Sequence, residues 1–368
     1  MANQPLRVAV VGVGLWGGRA HLPALKAIAD VDVVALVDER TDMAAALGND
    51  FGVPTRYAGI HALFANDTAL DAVVVATPTD THADVVGVAL AAGVHVLCEK
   101  PLAYDVPQAR EIARSIRAAG RVGKMGFLFR YSPAAQHLKA RVDAGYQGEL
   151  QLFESVTVNA QFADPARPLH WKMQRARANG GVFVEYGSHT IDLAQWFGGP
   201  LERVVAHGVT LIPQRSTEDG SIYPVDVDDA ASWIGVYSNG GQALFRTGWA
   251  SLPIGGTGVR VYGSRGGLAW QQDGNRRSER VIGCTLDSPE PQVLFEFQPD
   301  YDPSLDDGSF PLGLLGRYNQ RLVESFIEDI RAGRASGPTF EAGLAAQEVL
   351  EALRTSLDEG RWVDIERG

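Results

Sequence analysis

The chain has 368 residues, of which 45% are hydrophobic and 21% charged, and its formal net charge is −11. A chain of this length outgrows a single hydrophobic core, so two domains are expected, and its composition is that of an ordinary globular protein. The acidic balance argues against nucleic acid and against an anionic membrane surface as partners, because both are bound through basic surfaces.

Met1-Ala2-Asn3-Gln4-Pro5 leads straight into a strand, without the charged and apolar regions of a secretory signal. No apolar run approaches the roughly 18 residues of a membrane span, so the expected compartment is the cytoplasm. Residues 6–11 read as a buried strand, after which Gly12-Val13-Gly14-Leu15-Trp16-Gly17 opens a helical stretch to about Ala29. In the order strand, GxGxxG, helix, the first glycine permits a tight turn and the second lets the backbone approach a pyrophosphate. The third lets the helix pack on the strand, and the helix N-terminus offers its N–H groups to the anion. Trp16 either covers the cofactor or packs against the sheet.

The next strand, residues 33–37, ends in Asp38-Glu39-Arg40, with Asp38 21 residues after Gly17. That is close to the roughly 20-residue spacing of an acid that binds ribose hydroxyls, so NAD is favoured over NADP. Arg40 is of the type that neutralises a 2′-phosphate, whereas Asp38 repels one. A third unit runs through residues 53–57. A fourth strand, residues 72–76, ends in Thr77-Pro78-Thr79-Asp80-Thr81-His82. There Thr79 or Asp80 caps a helix to about Ala92, and His82 either lines the cofactor site or is simply polar in the helix's first turn.

Residues 94–98 form a fifth short apolar strand, Glu99 and Lys100 follow its end, and Pro101 turns the chain out of the sheet. Ligands of open α/β sheets bind beyond the carboxyl ends of the strands, which delivers Lys100 to that crevice, unless it is an ordinary solvated lysine. The two cysteines, Cys98 and Cys284, belong to no CxxC or Cys/His cluster, so both read as reduced structural thiols and no metal is expected. A helix over residues 106–119 and a strand over 121–125 complete a doubly wound parallel sheet of six strands.

The combination of Gly12-Val13-Gly14-Leu15-Trp16-Gly17, Ala76-Thr77-Pro78 with His82, and Glu99-Lys100-Pro101 resembles the glucose–fructose oxidoreductase/inositol dehydrogenase (Gfo/Idh/MocA) family over nearly the whole chain. The resemblance implies an N-terminal Rossmann dinucleotide-binding domain over residues 1–126. It implies a substrate-binding and oligomerisation α+β domain over residues 127–368, with a large open, mainly antiparallel sheet and C-terminal helices that pack back on the first domain. It also places Lys100 beside the nicotinamide, assisting proton transfer at the substrate. The cofactor-facing set is then Gly12, Gly14, Leu15, Trp16, Gly17, Asp38, Glu39, Arg40, Thr77, Pro78, Thr79, His82, Glu99 and Lys100.

In the second half, Arg130 and Tyr131 match a family segment at the domain junction and are substrate candidates. A helix is expected near residues 134–144, and residues 150–158 alternate like a half-buried antiparallel strand. Similar stretches at residues 204–212, 230–237, 242–249, 259–262 and 293–297 suggest one large sheet, followed by amphipathic helices at 318–332 and 342–358. The segment Gly180-Gly181-Val182-Phe183-Val184-Glu185-Tyr186-Gly187-Ser188-His189-Thr190-Ile191-Asp192 is the most informative. On a helix, Glu185 and His189 are i and i+4, which puts an acid beside an imidazole, either as a general acid–base pair or as an ordinary surface pair. The segment resembles the family's active-site helix, whose His is the catalytic base. Glu185 stands where the family commonly has Asp and is one methylene longer.

Upstream, His170-Trp171-Lys172-Met173-Gln174-Arg175-Ala176-Arg177 is cationic in an acidic chain. It is a solvated loop, or Lys172, Arg175 and Arg177 bind an anionic substrate group through charge-assisted hydrogen bonds. Trp171 stacks on a sugar face or packs in the core, and Tyr186 and His189 complete the substrate set. The expected function is an NAD-dependent oxidoreductase acting on a secondary hydroxyl of a sugar, cyclitol or derivative, neutral or anionic. Lys100 and His189 manage the hydroxyl proton, with Glu185 as an orienting or substrate-binding acid, while the redox chemistry belongs to the cofactor. One alternative is a glycosidase that uses NAD for transient sugar oxidation, elimination and re-reduction. Another is a silent NAD-binding sensor, which would need neither Lys100 nor His189. A large sheet with few helices to cover it points to a homodimer or homotetramer.

Overall fold

Valine-rich runs with no exposed surface, among them Val8–Val10, Val73–Val75 and Val96–Cys98, build the first sheet, as expected of strands covered on both faces. The computed structural model describes residues 4–66, 69–217, 219–253, 257–273, 277–299 and 313–368. Met1, Ala2 and Asn3 of the N-terminal segment lie outside them. The chain divides into two compact units: Met1–Leu128 with the described part of Ser304–Leu344, and Phe129–Pro303 with Ala345–Gly368. The sequence assigns residues 127–368 to one domain; in the structure residues 313–344 group with the first unit.

In the first unit, β1 (Leu6–Val11), β2 (Val31–Val37), β3 (Thr55–Tyr57), β4 (Ala72–Val75), β5 (His95–Cys98) and β6 (Gly123–Met125) form a parallel sheet in the order β3-β2-β1-β4-β5-β6. The helices are α1 (Leu22–Lys26), α2 (Thr41–Phe51), α3 (Ile60–Asn66), α4 (His82–Ala91) and α5 (Val106–Ala119). The order reverses between β1 and β4, and the crevice at such a switch point is where ligands of this architecture bind. The helical stretch after the glycine loop ends at Lys26, short of Ala29. It begins as a π-turn over Gly17–His21, because Pro23 at the head of α1 has no N–H to continue the regular ladder. The expected cap of α4 by Thr79 or Asp80 is replaced by a 3₁₀ turn over Thr79–Thr81, with Thr81 Oγ1 donating to the Pro78 carbonyl at 2.8 Å. The buried Lys124 pairs with Asp329 at 2.6 Å and ties β6 to α10 (Gly313–Ala332).

The second unit carries α6 (Pro133–Asp143), α7 (Arg175–Ala178), α8 (Val182–Glu185), α9 (Gly187–Gly198) and the C-terminal part of α11 (Phe340–Glu359). Its strands are β7 (Leu150–Val158), β8 (Leu201–Val209), β9 (Gln214–Ser216), β10 (Ile222–Pro224), β11 (Ala230–Tyr237) and β12 (Gln242–Gly248). They continue with β13 (Gly258–Gly263), β14 (Gly266–Gln272), β15 (Glu279–Thr285), β16 (Ser288–Phe297) and β17 (Val363–Asp364). Nine of them form one sheet, β16-β15-β14-β13-β7-β12-β11-β8-β17, and β9 and β10 form a separate hairpin. The sheet is mixed, since β7 pairs parallel with β12 and antiparallel with β13. The strand expected at 204–212 leaves the sheet after Val209, where the buried Asp229 carboxylate accepts the Leu211 and Ile212 N–H groups, each at 2.8 Å. No helix among the described residues is long and apolar enough to cross a membrane.

Candidate active site

At the switch point, the Gly12 N–H donates to the Val37 carbonyl at 2.7 Å and the Ala76 N–H to that of Val11 at 2.8 Å, which draws the three strand ends together. Gly12 has φ +85, and a Cβ there would lie 2.6 Å from the Ala76 carbonyl. A Cβ at Gly17 would lie 1.8 Å from the Gly12 carbonyl oxygen. Both positions therefore require glycine, and the backbone they leave bare is the surface a pyrophosphate needs. Gly14 and Trp16 are half-buried and Leu15 is exposed. Thr77 Oγ1 is buried beside this loop and has no hydrogen-bond partner among the described residues.

The Asp38 carboxylate accepts the Val13 N–H at 2.9 Å, the Arg40 N–H at 2.9 Å and the Arg40 guanidinium at 3.0 and 3.2 Å. Burial pushes its pKa up, but these donations outweigh it and hold the group below the ordinary carboxylate range. Glu39 and Arg40 point outward. His82 does not present its ring as a cofactor contact: it is buried, with Nδ1 2.8 Å from the Pro101 carbonyl and Nε2 3.0 Å from that of Thr77. Burial draws its pKa below the ordinary histidine value, against both carbonyls. Pro78 and the buried Thr79 shape the turn. Lys100 is 9% exposed at the end of β5, its N–H donating to Glu99 Oε2 at 3.2 Å. These groups gather around the strand ends and fit a dinucleotide. Among the described residues no cluster of His, Cys, Asp and Glu fits a metal ion.

In the second unit, Asn179 adopts φ 57 and ends α7, and Gly180-Gly181 lets the chain pass against Asp228, whose carbonyl oxygen would lie 2.0 Å from a Cβ at Gly181. The expected single helix is interrupted at Tyr186, giving α8 and α9. The Glu185 carboxylate takes the Lys172 ammonium at 2.6 Å, and Asp192 forms a bidentate pair with Arg130 at 2.7 and 2.8 Å. Arg130 thereby braces α9. Burial raises the pKa of Asp192 against the pull of Arg130. His189, 6% exposed in the first turn of α9, packs edge-on against Phe129 with ring centroids 4.9 Å apart.

The three cations do not converge. Lys172 lies 5.7 Å over the half-buried Trp171 ring and holds Glu185, whereas Arg175 pairs at the surface with Asp358 at 3.4 Å, and Arg177 is half-buried on α7. His170 is pulled down to a pKa of about 4 by burial and by Lys172, so it is neutral near pH 7. The Tyr186 hydroxyl donates to Gln161 at 2.6 Å, and Tyr131 is half-buried ahead of α6.

The model of the oxidoreductase family with an NAD-binding Rossmann fold, Gfo/Idh/MocA, matches residues 6–127, and that of the family's C-terminal domain matches residues 135–269. The chain belongs to the Gfo/Idh/MocA family. It is an NAD-dependent oxidoreductase. It is 27% identical to the myo-inositol 2-dehydrogenase of Thermotoga maritima, covering 98% of this chain and 99% of that protein. It is 24% identical to the levoglucosan dehydrogenase of Pseudarthrobacter phenanthrenivorans, covering 98% of each. A solved structure of levoglucosan dehydrogenase with NADH superposes with a TM-score of 0.87 at 23% identity, over 99% of this chain and 100% of that one, and shares the fold.

This Gfo/Idh/MocA chain also places residues at the site that its motifs do not announce. Asp228 accepts the Gly181 and Phe183 N–H groups, each at 3.0 Å, and so caps α8, but it lies 45 residues or more along the chain from both. Burial raises its pKa to about 6, against an ordinary value of 3.8. The folded chain then binds this proton more tightly than the unfolded one, so stability falls as pH rises between those values and stays low above them. Asp228→Asn, which cannot ionise, is expected to remove a fall on the order of 2–3 kcal/mol between about pH 4 and 7. Urea unfolding at several pH values measures it, and identical pH slopes for the two proteins contradict it.

Proposed function

We propose that the protein oxidises a secondary hydroxyl of a neutral sugar or cyclitol, with NAD in preference to NADP. The single observation that carries the reading is that Lys100, at the end of β5, and His189, in the first turn of α9, are both buried on elements that fix their positions, as proton-handling groups need to be. The full-length likeness to enzymes named for inositol and levoglucosan supports the substrate class. NAD supplies the hydride acceptor when bound. The chain's own groups do the rest: the glycine loop offers N–H groups to the pyrophosphate, Asp38 accepts from the ribose hydroxyls, and Lys100 and His189 take up and stabilise the hydroxyl proton. Glu185, neutralised by Lys172, orients the segment that carries His189. Because Lys172 and Arg175 are already paired with carboxylates, a neutral substrate is favoured over an anionic one. A panel of myo-inositol, levoglucosan, glucose and glucuronate, each with NAD, tests the class. Greater kcat/KM on glucuronate than on the neutral members overturns the neutral reading.

Asp38 sets the cofactor preference. Its carboxylate repels a 2′-phosphate and also holds the half-exposed Arg40 guanidinium, so Asp38→Ala removes the repulsion and releases Arg40 together. The expected result is NADH bound more weakly and NADPH more tightly than in the unaltered protein. Fluorescence titration reads both, and unaltered protein that binds NADPH as well as NADH refutes the assignment.

The nine-stranded sheet bears on assembly. Phe153, Ser155 and Thr157 of β7 are buried on the face where α9 packs, whereas the opposite face carries a row of Val205, Ile234 and Leu244 across β8, β11 and β12, each only half-buried. Covering that row in a homodimer or homotetramer removes apolar surface from water. Light scattering is expected to give a multiple of the chain mass at micromolar concentration, and a monomer there speaks against it.

A further inference from the structure

Lys100 leaves β5 through a turn in which two buried imidazoles meet the residues on either side of it in the chain, Glu99 and Pro101. His21, in the π-turn that follows the glycine loop, is 0% exposed and places Nε2 2.9 Å from Glu99 Oε1. The other oxygen of that carboxylate accepts the Lys100 N–H at 3.2 Å. Gly126 leaves the room: a Cβ there would lie 2.9 Å from the Glu99 carboxyl group. After Lys100 in the chain, the carbonyl of Pro101 meets His82 Nδ1 at 2.8 Å, while Nε2 of the same ring reaches the Thr77 carbonyl at 3.0 Å.

Two buried imidazoles and a buried carboxylate carry a desolvation cost that apolar side chains would not. What they add, and apolar side chains cannot, is a directional tie to main-chain atoms on both sides of Lys100. We propose that His21 and His82 are positioning residues for Lys100, acting through the Glu99 carboxylate and the Pro101 carbonyl; this rests on the proton-handling role given to Lys100 above. His21 also joins the glycine-loop helix to the Lys100 turn, so the segment that meets the pyrophosphate and the one that carries the amine share one hydrogen-bonded core.

Misplacing a catalytic group by about 1 Å costs roughly 10²-fold in rate, so His21→Phe and His82→Phe are each expected to lower kcat roughly 10- to 100-fold. NADH affinity, read by fluorescence titration, is expected to change far less than kcat. The chain has five lysines, Lys26, Lys100, Lys124, Lys139 and Lys172, so protein labelled with ¹³C at the lysine ε-carbon gives a countable spectrum in which Lys100→Arg assigns the Lys100 signal. That signal is expected to shift in both histidine variants while those of Lys139 and Lys172 stay in place. Added to Lys100→Ala, neither histidine change is expected to lower kcat further. Where a Phe variant fails to fold, a Gln/Asn pair replaces it: at His21, whose contact is made by Nε2, Gln keeps kcat and Asn lowers it, and at His82, whose contact with the Pro101 carbonyl is made by Nδ1, Asn keeps kcat and Gln lowers it. Unchanged kcat with an unmoved Lys100 signal in the folded variants overturns the proposal, as does a loss that adds in full to that of Lys100→Ala. Normal turnover of Lys100→Ala alone would instead remove the role of Lys100 itself, which keeps the two failures distinct.

Discussion

Alanine at Lys100 or at His189 is expected to lower kcat by roughly 10²–10⁴ while NADH affinity stays close to that of the unaltered protein. The size follows from what each group is asked to do. Taking a proton from an alcohol as it is oxidised needs a base whose position is already fixed, and both side chains are almost fully buried on elements that hold them. Lys100 follows β5, with its N–H tied to Glu99. His189 sits where Phe129 packs on its ring and where Arg130, paired with Asp192 one turn on, braces the helix. Neither change touches the glycine loop or Asp38, which is why binding and turnover are expected to separate. Steady-state kinetics paired with NADH titration makes the comparison, and normal turnover in both variants would show that the site is wrongly placed.

Gly17→Ala is expected to abolish NADH binding and to cost about 1–3 kcal/mol of stability or more. The added Cβ would stand 1.8 Å from the Gly12 carbonyl oxygen and 2.9 Å from its carbon. Backbone cannot swing aside as a long side chain can, so the π-turn and α1 must move off β1, carrying the pyrophosphate-facing N–H groups with them. Gly14→Ala is the internal contrast: its Cβ would meet only Arg40 Nη2, at 3.7 Å, an ordinary contact. It is expected to fold as well as the unaltered protein. Thermal unfolding of the two variants side by side decides the point, and equal melting temperatures would mean that the close packing at Gly17 does not matter.

The residues legible in the sequence are those whose meaning is local. The valine runs of β1, β4 and β5 announce a parallel sheet because burial on both faces leaves no alternation. Gly12 and Gly17 announce the cofactor loop because a turn and a close approach admit no other residue there. Asp38 follows the end of β2 as the spacing expects, and His189 lies on a helix as its segment's likeness to the family expects. What escaped the sequence is set by contacts between distant residues. Arg130 meets Asp192 62 positions away and His21 meets Glu99 78 positions away, and no periodicity encodes either. The break of the helix at Tyr186, and the reach of Lys172 from 13 positions upstream to the Glu185 carboxylate, are likewise not encoded in the i,i+4 spacing of Glu185 and His189. The strands β14 and β15 were missed because Gly266-Gly267 and Gly283 dilute their apolar alternation. The parallel pairing of β7 with β12 is a fact of topology that neither strand's sequence records.

Turnover is expected to leave a net oxidation behind. Purified protein given NAD and the panel sugar it turns over should accumulate one NADH for each ketone formed, followed by NADH absorbance and product analysis in the same vessel. A glycoside cleaved to free sugar with no NADH gained would contradict it and make the chemistry redox-neutral.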